Sequence, residues 1–285
     1  MTRIGVQGTL LVDEIARSGI FETLRSVSKI GYHALEVAGM AMTPENVAEL
    51  ERARTELGMD IASISGSLAP AGSGGESLTT QFDKYVDDAQ RLGATMIRVG
   101  MLPAEAMAST AMLLEFCDRS NDVAARLREH GIRLYYHNHH IDFTKYDGRY
   151  LLDVIAERAP LVGFEVDVHW VQRGGLDPVA TLKKYGERVA MVHLKDYRIG
   201  RISASAFDEL DAGDRTAFNA ELATVVQFAE VGEGNLDFAS IIPVSQQIGA
   251  QYLLVEQDEH YGRTPLECLQ TSYDNIVALG YGHLF

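Results

Sequence analysis

The sequence predicts an α/β fold, a single (β/α)8 TIM barrel spanning residues 1–285. Two observations predict it. Short apolar runs recur eight times, each followed by an amphipathic stretch of helix length. Titratable residues gather at the far ends of those runs, where such barrels keep their chemistry. A doubly wound open sheet is the competing architecture.

The runs are "RIGVQG" (3–8), "ALEVAG" (34–39), "IASISGS" (61–67), "MIRVG" (96–100), "IRLYYHNH" (132–139), "VGFEVDVHW" (162–170), "VAMVHLKDY" (189–197) and "YLLVEQD" (252–258). Between the first three lie two clear helix patterns. "FETLRSVSKIG" ends on Gly31. "PENVAELERARTELG" follows Thr43, an N-cap, with Pro44 at the first helical position and Gly58 just past the end. The loop "APAGSGGES" (69–77) follows the third run. The stretch 198–231 is too long for an ordinary strand–helix link, which predicts an excursion after strand 7. No linker composition divides the chain, so one domain is expected.

Composition narrows the function. Of 285 residues 46% are apolar, enough for a sizeable core, and 25 basic against 40 acidic residues leave a net charge of −15. That field opposes phosphate neutralisation, so no nucleic-acid partner is expected. No run approaches the roughly 18 apolar residues of a membrane span. "MTRIGVQGTLLVDE" has no signal-peptide core, so a cytoplasmic location is expected. Cys117 and Cys268 sit in helical patterns as small buried residues.

The strand ends carry Glu36, Arg98, His137, His139, Glu165, Asp167, His169, His193, Lys195, Asp196, Glu256 and Asp258, with Asp142 just beyond strand 5. Asp167, His193 and Glu256 fall on consecutive strands. One imidazole and two converging carboxylates suit Mn2+, Zn2+, Co2+ or Mg2+. Without a cation the carboxylates would repel. The alternative is separate salt bridges to Lys195, Arg98 and Arg188. Alternation along a strand turns Glu165 and Asp167 to one face, and His193 and Lys195 likewise. Lys195 is a candidate to neutralise a substrate anion or protonate an intermediate. Glu36 either bonds sugar hydroxyls or pairs with Arg98. His169, beside Trp170, either packs there or supports the site. "GEG" (232–234) is a glycine-rich turn without the lysine of a P-loop, and no GxGxxG or serine elbow is present.

The segments "YHNHHIDF", "DVHWVQRGGLDPV", "RVAMVHLKDY", "VGEGNLDF" and "YLLVEQD", in that order, resemble the xylose isomerase-like TIM barrels of the sugar phosphate isomerase/epimerase family. "YHNH" with a later "HLKD" is similar to the subgroup that includes inosose dehydratases and hydroxypyruvate isomerase-like proteins. The resemblance implies a divalent metal, Mn2+ first, held by Asp167, His193, Glu256 and a strand-5 ligand. Asp142 is the expected fourth ligand and His137 the alternative, since "YHNH" stands where the family has a glutamate. Trp170 replaces a histidine of several ketose epimerases.

The implied function is a metal-dependent isomerase or epimerase acting on a sugar, ketose or keto-polyol through an enediolate. Glu256 or His139 would move the proton, with Lys195 assisting. Glu36, Arg98, His137, Trp170 and Glu233 would bind substrate. Two alternatives stand beside it: a metal-dependent lyase, dehydrating an inosose or eliminating from a 3-keto-glycoside, and a sugar-binding barrel without catalysis. Endonuclease IV shares the fold, but the acidic charge opposes DNA. The expected partners are a small carbohydrate and further copies of the chain in a homo-dimer or homo-tetramer.

Overall fold

The computed structural model describes residues 1–68 and 75–285. Most of the "APAGSGGES" loop therefore lies outside the described residues. Eight parallel strands close into a barrel: β1 (Arg3–Gln7), β2 (Ala34–Val37), β3 (Asp60–Gly66), β4 (Met96–Val99), β5 (Arg133–His137), β6 (Gly163–Asp167), β7 (Val189–Leu194) and β8 (Tyr252–Val255). Each pairs with its sequence neighbour, and β1 closes the ring on β8. The eight strand positions agree with the eight apolar runs.

The helix punctuation works as the residue types dictate. The helix Ile20–Ile30 stops at Gly31, whose φ of 130° excludes most side chains. In Pro44–Leu57, Thr43 Oγ1 accepts from Asn46 N, and Gly58 closes the helix in the left-handed region. The excursion after β7 is a hairpin, Asp196–Ile199 against Val226–Ala229. Two short helices, Ala204–Asp211 and Thr216–Ala223, fill its loop. The sixth run is shorter as a strand than its pattern suggests. The chain turns helical at Val168–Arg173, so His169 and Trp170 lie on a helix that Asp167 itself caps.

Two apolar clusters hold the barrel. The larger fills the space between strands and helices; the smaller plugs the barrel floor with Ala62, Met96, Tyr135, Met191 and Leu254. Moving two residues along each strand, which preserves the face, replaces Met96 by Arg98, Tyr135 by His137, Met191 by His193 and Leu254 by Glu256. The interior thus passes from an apolar floor to a charged mouth.

The floor leaves no slack at Gly5. A Cβ there would stand 2.5 Å from Ala34 O and 2.8 Å from Ala34 Cβ. Strand backbone cannot yield cheaply, so Gly5→Ala is expected to cost about 1–3 kcal/mol, read as a lower urea midpoint at unchanged slope.

Candidate active site

The mouth holds two layers that share one imidazole. In the lower layer, Glu36 on β2 and Glu165 on β6 are fully buried. Arg98 Nε lies 2.8 Å from Glu36 Oε1 and 3.5 Å from Glu165 Oε2. His193 Nε2 lies 3.4 Å from Glu36 Oε2 and 3.2 Å from Glu165 Oε1. In the upper layer His193 Nδ1 meets Glu256 Oε2 at 2.7 Å and Asp167 Oδ2 at 3.8 Å. Lys195 Nζ stands 2.8 Å from Asp258, 3.4 Å from Glu256 and 4.0 Å from Asp167.

Burial and these neighbours set the protonation states. Glu165 is pushed up to about 8 by burial and by the adjacent Glu36 carboxylate. Burial also opposes ionisation of Glu36, but Arg98 and His193 overcome it and lower its carboxyl to about 2. Two close carboxylates cannot both ionise, and Glu165 keeps the proton. Burial disfavours a charged His193, yet Glu165, Glu256 and Glu36 hold its pKa well above the ordinary value. Burial would raise Glu256, but Lys195 and His193 hold it well below the usual range. Asp167 is raised to about 6, mainly by burial. His137 and His139 are depressed, first by burial; His139 falls to about 4 and is neutral near pH 7.

Four of the buried side chains, His137, Asp167, His193 and Glu256, place one ligand atom each within 4.8 Å of one another. Asp167 Oδ2 and His137 Nδ1 are buried without a hydrogen-bond partner among the described residues. Two imidazoles and two carboxylates, with lone pairs unspent on His137 and Asp167, fit a divalent cation such as Mn2+ or Zn2+. Asp142 stands outside this group. Its oxygens accept from Tyr136 OH at 2.9 Å and from His139 N at 2.8 Å, making it the capping residue of the short turn His140–Phe143. Burial raises its carboxyl to about 7. Of the two strand-5 candidates, the geometry therefore brings His137 to the other three and gives Asp142 a local structural post.

The remaining candidates divide. Glu36 and Arg98 are in the mouth but spent on each other. Trp170 forms a wall with Phe228, its ring 6.1 Å away at 81°, and Lys195 Nζ sits 4.9 Å and 5.2 Å from their ring centres. His139 lines the same wall, 5.6 Å from Trp170. His169 packs between Trp170, Tyr197 and Phe228. Glu233 lies at the surface, paired with Arg263 and Arg198. Sequence reasoning missed Asn138. Its side-chain oxygen accepts from Asp167 N at 3.0 Å and its amide donates to Asp167 O at 3.3 Å, fixing that residue's backbone. Its place inside "YHNH" was the available signal, but alternation turned it away from the mouth. Phe228 had no signal, because it arrives from the distant strand of the excursion hairpin.

The family model described as xylose isomerase-like TIM barrel matches residues 24–276. The chain is 31% identical over 142 residues to an inosose dehydratase of Clostridium perfringens. That stretch covers 49% of this chain and 45% of the relative, about half its length. A sugar phosphate isomerase/epimerase of Parabacteroides distasonis shares the fold with a TM-score of 0.73 at 20% identity, over 97% of this chain and 98% of that one. The 3-keto-D-glucoside 4-epimerase of E. coli does so with a TM-score of 0.62 at 16% identity, over 98% and 99%.

Two outcomes are expected. Asp167→Asn lowers Mn2+ affinity about 10–100-fold, whereas Asp142→Asn changes it little; isothermal titration reads both. The second concerns pH. The folded chain keeps protons on Asp167 and Glu165 up to about 6 and about 8, against ordinary values of 3.8 and 4.5. The unfolded chain has released them by then, so these groups stabilise fully only below pH ~4 and that stability is lost as pH rises through 6 to 8. Ligation needs ionised Asp167. The melting-temperature gain on adding Mn2+ should therefore grow from pH 6 to 8.

Proposed function

Because the chain belongs to the xylose isomerase-like TIM-barrel family, we propose that it is a divalent-metal-dependent isomerase or epimerase of a sugar, ketose or keto-polyol. The observation that carries this reading is the buried set His137, Asp167, His193 and Glu256 at the C-terminal strand ends. In such barrels that face is the catalytic one. When bound there, a cation such as Mn2+ acts as a Lewis acid on a carbonyl and its neighbouring hydroxyl and offsets enediolate charge.

The chain's own residues supply the rest. His193 would have to give up its Nδ1 proton to serve as a ligand, while Glu165 and Glu36 hold its Nε2 from the lower layer. Neutral His139, whose Nδ1 has no partner among the described residues, is the candidate to take a proton from substrate carbon. Glu256, spent on His193 and Lys195, is the weaker candidate base. Lys195 remains charged, because Glu256, Asp167 and Asp258 outweigh its burial, so it steadies negative charge rather than accepting protons. Trp170 and Phe228 exclude water and offer ring faces to sugar C–H groups.

A metal-dependent lyase is the second reading, favoured by the likeness to an inosose dehydratase over half of each chain. There the same proton leaves, but a β-hydroxyl or glycosidic oxygen departs in place of reprotonation. Incubating the metal-loaded protein in D2O with ketoses, keto-inositols and 3-keto-glycosides separates the two. Deuterium at the α-carbon of an isomeric product supports the isomerase, and loss of water or an alcohol supports the lyase. No exchange with any of them would overturn both. His139→Ala should lower kcat about 10^2–10^4-fold at unchanged metal affinity.

A further inference from the structure

The "GEG" turn has no part in the reaction just described, yet it lies where barrels of this fold frequently bind phosphate, in the loops after strands 7 and 8. Phosphate binding there relies on backbone N–H groups, helix N-termini or unspent cations. In this chain the N–H groups of Gly232, Gly234 and Leu236, the two helix N-termini that follow strands 7 and 8, and the nearby cations Arg198 and Arg263 each meet a carboxylate of the chain itself.

Asp196 fills the turn. It is fully buried, directly after Lys195. Its Oδ2 accepts from Gly232 N at 3.1 Å and Gly234 N at 2.9 Å, and its Oδ1 from Leu236 N at 3.1 Å and Tyr197 N at 2.8 Å. A Cβ at Gly234 would stand 2.3 Å from Asp196 Oδ1, so the turn is shaped around that carboxylate. The helix that follows, Phe238–Gln247, is capped by Asp237, which accepts from Ser240 N. The helix after β8, Pro265–Ala278, begins with a proline and closes its first turn with Thr264 and Glu267. The two cations buried in the mouth are spent as well: Arg98 on Glu36 and Glu165, Lys195 on Asp258 and Glu256. Nearer the rim, Arg198 and Arg263 share Glu230 and Glu233. The six residues 69–74 contain no cationic side chain.

Apart from the candidate metal ligands and the Arg98–Glu36–Glu165 cluster, the mouth offers unpaired ring nitrogens along its aromatic wall, counted among the described residues. His139 Nδ1, His169 Nδ1 and Trp170 Nε1 have no hydrogen-bond partner. Hydroxyl groups, which donate and accept, match such nitrogens; a phosphate dianion beside Glu256 and Asp258 does not.

We propose that the substrate is an uncharged polyhydroxylated carbonyl compound, and that Asp196 determines this specificity by occupying the barrel's anion-binding turn. This rests on the reading of the site as one for sugars or keto-polyols.

The test has two arms. In the first, the Mn2+-loaded full chain is titrated by ligand-observed NMR with matched pairs: D-fructose and its 6-phosphate, D-ribulose and its 5-phosphate. Each ester should bind about tenfold or more weakly than its parent. An ester that binds as tightly as its parent overturns the proposal and leaves the functional reading standing. Failure of every carbohydrate, in metal-loaded protein, overturns the functional reading instead. In the second arm, millimolar inorganic phosphate is added to metal-free protein. It should leave the wild-type melting temperature unchanged and raise that of Asp196→Ala. A wild type stabilised by phosphate overturns the proposal, and that measurement decides even where the variant does not fold.

Discussion

The site depends on a balance of buried charge centred on His193. Glu36, Glu165, Asp167 and Glu256 put four carboxyl groups inside one barrel, each almost wholly removed from water. An isolated buried carboxylate would cost far more than the few kcal/mol by which a domain is stable. The cost is met in three ways. Arg98 neutralises the lower pair, Lys195 the upper, and Glu165 keeps its proton. His193 joins the layers because its two nitrogens face opposite ways, Nε2 to Glu165 and Nδ1 to Glu256. Removing any one member leaves a partner uncompensated, which is why breaking buried pairs is more damaging than replacing them whole.

That balance also explains the placement of consecutive residues in "HLKD". Alternation sends His193 and Lys195 to the mouth and leaves Asp196 facing away. The face that Asp196 turns to is met by the returning chain at 232–236, where the N–H groups of Gly232, Gly234 and Leu236 donate to its carboxylate. One short sequence thus supplies a site nitrogen, a site cation and the anchor of the excursion. The anchor matters to the site, because the hairpin it secures carries Phe228 to the wall beside Trp170.

The barrel was legible because parallel strands buried on both sides read as apolar runs, and these stand out at a spacing that only alternating helices explain. The inward turn of Glu165, Asp167, His193 and Lys195 was legible from parity alone. Legibility failed where tertiary contact overrides local pattern. Asn138 acts by reaching across to the backbone of Asp167, a partner 29 positions away. Phe228 belongs to a strand whose exposed and half-buried residues carry no clean alternation. Asp142 reads as an anionic ligand by its charge and its place after strand 5, while its local hydrogen bonds are not legible in the sequence. A turn that closes on His139 N and a tyrosine hydroxyl beneath it claimed both oxygens first.

On the proposed metal reading, His137 in place of Asp142 as the strand-5 donor changes the charge of the ligand set. A set of two carboxylates and two neutral imidazoles sums to −2 and just cancels a divalent cation, whereas a third carboxylate would leave the set at −1 overall. In a low-dielectric mouth that extra charge would weaken attraction for an electron-rich carbonyl oxygen and oppose the developing enediolate. It would also sit beside Asp258 and raise the repulsion that Lys195 alone has to offset. On the proposed reading, with His137 in that position the ligands would balance a divalent cation and Lys195 would balance Asp258, so no excess negative charge would meet the one the substrate develops. With Asp142 there, the same barrel would meet that charge with one of its own. On the proposed function, a neutral strand-5 donor and a carboxylate filling the turn after strand 7 would serve one arrangement, in which the charge to be stabilised arises in the reaction and is not carried in by the substrate.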